Sequence, residues 1–183
     1  MSRLGIFIAD GCEEVEALTV VDIVRRAKLE IDMISINGTK QVTSSRNVTF
    51  MTDTTKEEAD FSAYDGIILP GGMPGTKNLE HCEELMKQVD AFVKDGKLVC
   101  AICAAPSILG HRGHLQGRKA TVYPGMEGEL TGAEWVADKA VTDGNIITAR
   151  GMGCAIAFGL AIIEKLKGKQ AADEMAQKVV YQL

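Results

Sequence analysis

The sequence predicts an α/β fold: a three-layer α/β/α sandwich around a mostly parallel sheet. Three observations carry that reading. Short β-branched runs alternate with amphipathic helical stretches along the chain. The run GIILP (66–70) is apolar at every position, the pattern of a strand covered on both faces. The 183 residues suffice for one domain with a sizeable core, spanning 1–183, and contain no repeat, low-complexity tract or Pro/Ser-rich linker.

The elements follow in order. RLGIFI (3–8) is the first strand. A helix runs from Glu14 to Lys28, with Ala17, Val20, Val21, Val24 and Ala27 on one face. IDMISI (31–36) is the second strand, and residues 37–65 form a polar excursion with short strands near QVTSS and NVTFM. After GIILP, a helix from Glu83 to Lys94 turns Leu85, Val89 and Phe92 inward. The strand KLVCAI (97–102) leads to a helix starting near Ala104. VTDGNIITA (141–149) reads as two strands around an Asp-Gly turn. A helix from Cys154 to Lys167 places Ile156, Leu160, Ile163 and Leu166 on one stripe, and residues 169–182 make a terminal helix. The arrangement resembles the flavodoxin-like order, in which ligands bind beyond the carboxyl ends of the strands.

Composition narrows the partners. A net charge of −5 makes nucleic acid or an anionic membrane a poor main partner, and the basic stretch HRGHLQGRK (111–119) reads as a solvated turn. No apolar run approaches the roughly 18–20 residues of a membrane span. The start, MSRLGIFIADGCEE, does not have the form of a signal peptide. Five cysteines is an odd number, which favours reduced thiols and a cytoplasmic setting over a disulfide framework.

KLVCAICAAPSILG (97–110) contains a Cys-x-x-Cys. Redox pairs of that spacing sit at the start of a helix, whereas Cys100 falls within a strand, so Cys100 and Cys103 should point to opposite faces. Cys100 reads as a small core residue. Cys103 ends the strand, small Ala104 and Ala105 permit a tight turn, and Pro106 suits the first turn of a helix. This is the layout of a nucleophile elbow, where a helix dipole would lower the thiol pKa. Spacing alone leaves Cys103 either reactive or another buried thiol. LPGGMPG (69–75) is either a plain turn or a loop whose N–H groups approach a ligand. In DGCEEVEA (10–17), Glu13, Glu14 and Glu16 suit a helix's first turn. Glu16, one turn before Val20, projects toward the apolar side and is a candidate proton donor with a raised pKa. Cys12 is a candidate second thiol near the site, while Cys82 and Cys154 read as inert.

These stretches, with SSRNVTF (44–50) and TARGMG (148–153), resemble the ThiJ/PfpI superfamily, and within it the Parkinson-disease-protein branch, over nearly the whole chain. The resemblance implies a homodimer whose reactive cysteine is Cys103 and whose partner acid is Glu16. It implies oxyanion or substrate contacts from Gly71, Gly72 and Ala104, and arginines Arg46 and Arg150 on the dimer-side approach. Activity on small α-oxoaldehydes such as methylglyoxal, or on their early adducts, is what it implies for substrate, with no metal or organic cofactor. Where protease-like members have His after the nucleophile, this chain has Ala104; where human-type members have a nearby His, it has Tyr123; and RGMG with Met152 replaces RGPG. A non-catalytic redox sensor or protective protein is the rival reading, and a cysteine hydrolase a weaker one. The three histidines, His81, His111 and His114, read as surface residues.

Overall fold

The computed structural model describes residues 2–182. The chain begins with strand β1 (Arg3–Ile8), helix α1 (Glu14–Arg26) and strand β2 (Glu30–Ser35). Short strands β3 (Gln41–Thr43), β4 (Thr49–Met51) and β5 (Thr54–Thr55) follow. The middle of the chain is strand β6 (Gly66–Leu69), helices α2 (Gly75–Glu80) and α3 (Glu83–Lys94), strand β7 (Leu98–Ile102) and helix α4 (Pro106–His111). Strands β8 (Lys119–Ala120), β9 (Glu134–Trp135), β10 (Ala140–Asp143) and β11 (Ile146–Ala149) precede helices α5 (Ala155–Lys167) and α6 (Lys169–Lys178).

Seven strands form the central sheet in the order β10-β11-β7-β6-β1-β2-β5. All neighbours run parallel except β10 against β11. The five long parallel strands, numbered among themselves in chain order, read 2-1-3-4-5, the flavodoxin-like order. The period of two along each strand sorts the core into two layers. Leu4, Ile6 and Ile8 share one cluster with Val20 and Val24 of α1 and Phe158 and Ile162 of α5. Phe7, Ile67 and Val99 share the other with Leu85, Val89 and Phe92 of α3 and Ile108 of α4. The order reverses between β1 and β6, so the crevice for a ligand opens at their carboxyl ends. The segments 9–13, 70–74 and 103–104 meet there.

The structure departs from the sequence-based expectations in several elements. Helix α2 was not expected; it is six residues long and follows Pro74 directly. Helix α4 starts at Pro106 and not at Ala104, because Ala104 and Ala105 serve as the turn. The terminal helix stops at Lys178, and Val180 beyond it has a left-handed φ of +57°. On α5, Ile156 and Leu166 are half-buried, while Phe158, Gly159 and Ile162 join the buried set. Cys100 and Cys103 do not diverge: Cys103 packs against the layer that contains Cys100, because its own backbone leaves the strand conformation.

The basic stretch 111–119 is occupied by internal pairs and does not form a free polycationic patch. Arg112 donates Nε–H to Asp90 at 2.7 Å, and His114 Nε2 lies 2.7 Å from the same carboxylate. The His111 ring sits between Glu80 and Glu129, 2.7 Å from each. Arg118 Nη1 donates to the Asp143 carbonyl at 3.0 Å.

The ring of Phe158 is the largest fully buried side chain of the α1/α5 layer. Phe158→Ala is expected to cost about 3–5 kcal/mol through the cavity it leaves. A lowered urea midpoint with unchanged slope checks this.

Candidate active site

Cys103 directly follows β7 and holds a left-handed φ of +65°, a conformation that costs an ordinary side chain roughly 1 kcal/mol or more. Both its backbone polar groups are fixed: its N–H donates to the Ala149 carbonyl at 2.9 Å, and its carbonyl accepts from Tyr123 N–H at 2.9 Å. The side chain is thereby turned out of the strand, half-buried at the floor of the crevice. Two backbone N–H groups, those of Gly72 and Ala104, are directed at the sulfur.

Glu16 reaches the same point from the first turn of α1 and is 1% exposed. Its Oε2 accepts the Gly71 N–H at 2.9 Å. Its other oxygen, Oε1, is buried without a hydrogen-bond partner among the described residues, and the Cys103 thiol adjoins the carboxyl. Burial pushes the carboxyl up to about 7, against the opposing pull of the Cys103 and Gly71 hydrogen bonds. The helix N-terminus favours a charged acid here, and burial outweighs it.

The Cys103 thiol is pushed up by burial and by the ionised carboxyl beside it. The sequence-based expectation of a thiol lowered by a helix dipole is therefore corrected. Burial is the larger cause and the Glu16 carboxyl adds to it, against a helix α4 of only six residues. The N–H groups of Gly72 and Ala104 pull the other way. A thiolate is accessible chiefly when Glu16 holds the pair's one remaining proton.

Two glycines let the loops converge. A Cβ on Gly71 would lie 2.6 Å from both Cys103 Cβ and Glu16 Oε2. Gly72, at φ +92°, would place one 2.3 Å from the Glu13 backbone nitrogen. The Gly71 N–H, expected as an oxyanion donor, is instead used on Glu16. Gly72 and Ala104 remain directed at the sulfur.

A cleft of about 660 Å³ opens over the thiol, with Glu16, Gly72, Cys103, Ala104 and Tyr123 among its lining residues. Arg46 lines it from the exposed turn between β3 and β4. Arg150 does not line it: its backbone N–H donates to Lys139 and its Nη1 to the Ala137 carbonyl. The sequence reading missed Ser45, Met73, Pro124, Gly125 and Met126 in the lining, and took Glu13 only as a first-turn acid. The Pro-Gly pair after Tyr123 signals the turn that brings Met126 in. Cys12 is fully buried, and burial with nearby Glu14 pushes its thiol up to about 12, so it does not present a second reactive sulfur. All five cysteines are free thiols, and the described residues hold no cluster of three or more His, Cys, Asp or Glu suited to a metal ion.

The DJ-1/PfpI family model matches residues 2–165. DJ-1 homolog B of Arabidopsis thaliana is 35% identical over 93% of this chain, which spans 39% of that protein's length. Protein dj-1beta of Drosophila melanogaster is 35% identical over 94% of this chain and 93% of its own. A Caenorhabditis elegans relative named glutathione-independent glyoxalase DJR-1.2 is 27% identical over 95% of this chain and 93% of its own. The solved structure of oxidized Toxoplasma gondii DJ-1 superposes with a TM-score of 0.95 at 32% identity, covering all of both chains.

The raised carboxyl sets a stability profile. Between about 4.5 and about 7 the folded chain keeps a proton on Glu16 that the unfolded chain releases, so stability falls as pH rises through that window. Glu16→Gln removes the penalty. It is expected to exceed wild type by about 1–3 kcal/mol at pH 8 and to match it at pH 4, in urea midpoints. The rate of Cys103 alkylation by iodoacetamide should climb as pH passes about 7 in wild type, and this step should vanish in Glu16→Gln.

Proposed function

Because the chain belongs to the DJ-1/PfpI family, we propose that it is a cysteine-dependent stress-response enzyme acting on small α-oxoaldehydes, methylglyoxal and glyoxal, or on their early glycation adducts. The observation that carries this is the Cys103 thiol beside the buried Glu16 carboxyl, under the Gly72 and Ala104 N–H groups. The name of the Caenorhabditis elegans relative supports the same substrate class.

The proposed steps use these groups alone and need no metal or organic cofactor. The thiolate, formed while Glu16 holds the proton, adds to the aldehyde carbon and makes a C–S bond. Gly72 and Ala104 N–H groups stabilise the resulting oxyanion. Glu16 gives its proton to that oxygen, then takes the proton from the former aldehyde carbon as a base to leave an enediolate. It returns that proton to the neighbouring carbonyl carbon, while the hydroxyl proton on the first carbon's oxygen passes to the oxygen of the second. The first carbon is oxidised to a thioester as the second is reduced to an alcohol. Water then breaks the C–S bond, releasing a 2-hydroxy acid and the thiol. Tyr123 offers a hydroxyl to a substrate oxygen from the cleft wall.

A second reading, a redox sensor or protective protein without turnover, is supported by Glu16 Oε1, which is free to hydrogen-bond oxygens added to the sulfur. A cysteine hydrolase is less favoured, since among the described residues no histidine lines the cleft to serve as its base. A homodimer belongs to the proposal, with Val15 and Val48 as exposed apolar contacts on segments joined by the Ser45 N–H bond to the Cys12 carbonyl. A reducing, cytoplasmic setting fits the five free thiols. No helix among the described residues is long and apolar enough to cross a membrane.

Methylglyoxal consumption, measured with chelated buffers, is expected to fall at least about 100-fold in both Cys103→Ala and Glu16→Gln. An unchanged rate in Cys103→Ala refutes the mechanism. Negligible wild-type turnover, with a clean gain of two oxygens on Cys103 under limiting peroxide by intact mass, selects the sensor instead.

A further inference from the structure

The cleft wall carries side chains that the proposed chemistry does not use. Met73, Met126 and Met152 all face it, beside Tyr123 and Pro124. Met73 is 45% exposed, Met152 54% and Tyr123 51%, so these large apolar groups stand open to solvent around the thiol. Apolar surface gathered in a concave site is a ligand-binding feature, whereas the same residues scattered singly would need no explanation. Thioethers suit it especially, because their unbranched chains adapt to apolar groups of varied shape.

Size and charge narrow the ligand further. A cleft of about 660 Å³ lies within the roughly 300–1,000 Å³ that holds a drug-sized molecule, far more than a three-carbon aldehyde fills. Glu13 and Glu16 both line it, against the single cation of Arg46 on the exposed turn. A substrate with its own carboxylate would add its charge to that of Glu13 and to the one negative charge shared by the Cys103–Glu16 pair.

We propose that the preferred substrates are uncharged 2-oxoaldehydes bearing an apolar substituent of about four carbons or more, and that Met126 and Met152 determine this specificity. The inference rests on the oxoaldehyde reading above. The reaction is the one already written, with the substituent lying along the thioether wall while the aldehyde carbon meets the sulfur. Apolar contact in such a pocket discriminates by roughly tenfold or more per added methylene when it is fully enclosed, and by less in an open cleft.

The test compares initial rates of 2-hydroxy acid formation from methylglyoxal, 2-oxohexanal and 4,5-dioxopentanoate, the last replacing the apolar tail with a carboxylate. In wild type, kcat/KM for 2-oxohexanal should exceed that for methylglyoxal by about tenfold or more, and 4,5-dioxopentanoate should fall at least about tenfold below 2-oxohexanal. Met126→Ser and Met152→Ser should each reduce the ratio of kcat/KM for 2-oxohexanal to that for methylglyoxal about threefold or more. Methylglyoxal turned over as well as 2-oxohexanal, or a preference untouched in the Met126→Ser/Met152→Ser double variant, overturns this inference and leaves the oxoaldehyde reading standing. Absence of Cys103-dependent consumption of all three aldehydes overturns both.

Discussion

One buried carboxyl governs the chemistry of this molecule. Glu16 is removed from water, held on one side by a backbone N–H and left on the other with a sulfur as its neighbour. Neither group ionises independently of the other. The charge that burial denies the acid is also the charge that would suppress the thiolate. A single proton shared between them meets both demands, so the pair is best regarded as one titrating unit. The Gly72 and Ala104 N–H groups then favour placing the negative charge on sulfur.

The fold delivers this pair by convergence at the carboxyl edge of the sheet. Three segments arrive there from β1, β6 and β7, and none supplies the site alone. The acid comes from the helix after β1, the orienting N–H from the loop after β6, and the sulfur from the bend after β7. Close approach is purchased by absent side chains: Gly71 leaves no room for a Cβ between Cys103 and Glu16. The strained backbone at Cys103 persists because both its polar groups are tied to neighbours on either side.

Much of this was legible in the sequence, for identifiable reasons. The strands announced themselves through apolar runs, and their alternation with amphipathic helices fixed the layer architecture. The elbow was visible as an apolar strand followed by Cys103, two alanines and Pro106. Glu16 was legible from its spacing to Val20 along a helical face. Other features depended on distances that a linear pattern does not encode. The sign of the thiol shift turned first on burial of the sulfur and then on a carboxyl 87 positions away in the chain. The N–H of Gly71 could be assigned to oxyanion or acid only once the loops were placed. Helix α2 is too short to develop a periodic face. Of the methionine wall only Met152 was legible, because Met73 and Met126 come from separate loops that show no pattern alone.

The hydrogen bond from Tyr123 N–H to the Cys103 carbonyl joins the cleft wall to the residue beneath it through main-chain atoms. Any insertion or deletion that shifts the backbone at Tyr123 also disturbs the peptide that aims the sulfur. Diversification of this scaffold toward new ligands is accordingly channelled into exchanging side chains at fixed backbone stations, with loop length between β8 and β9 free to vary only downstream of that anchor.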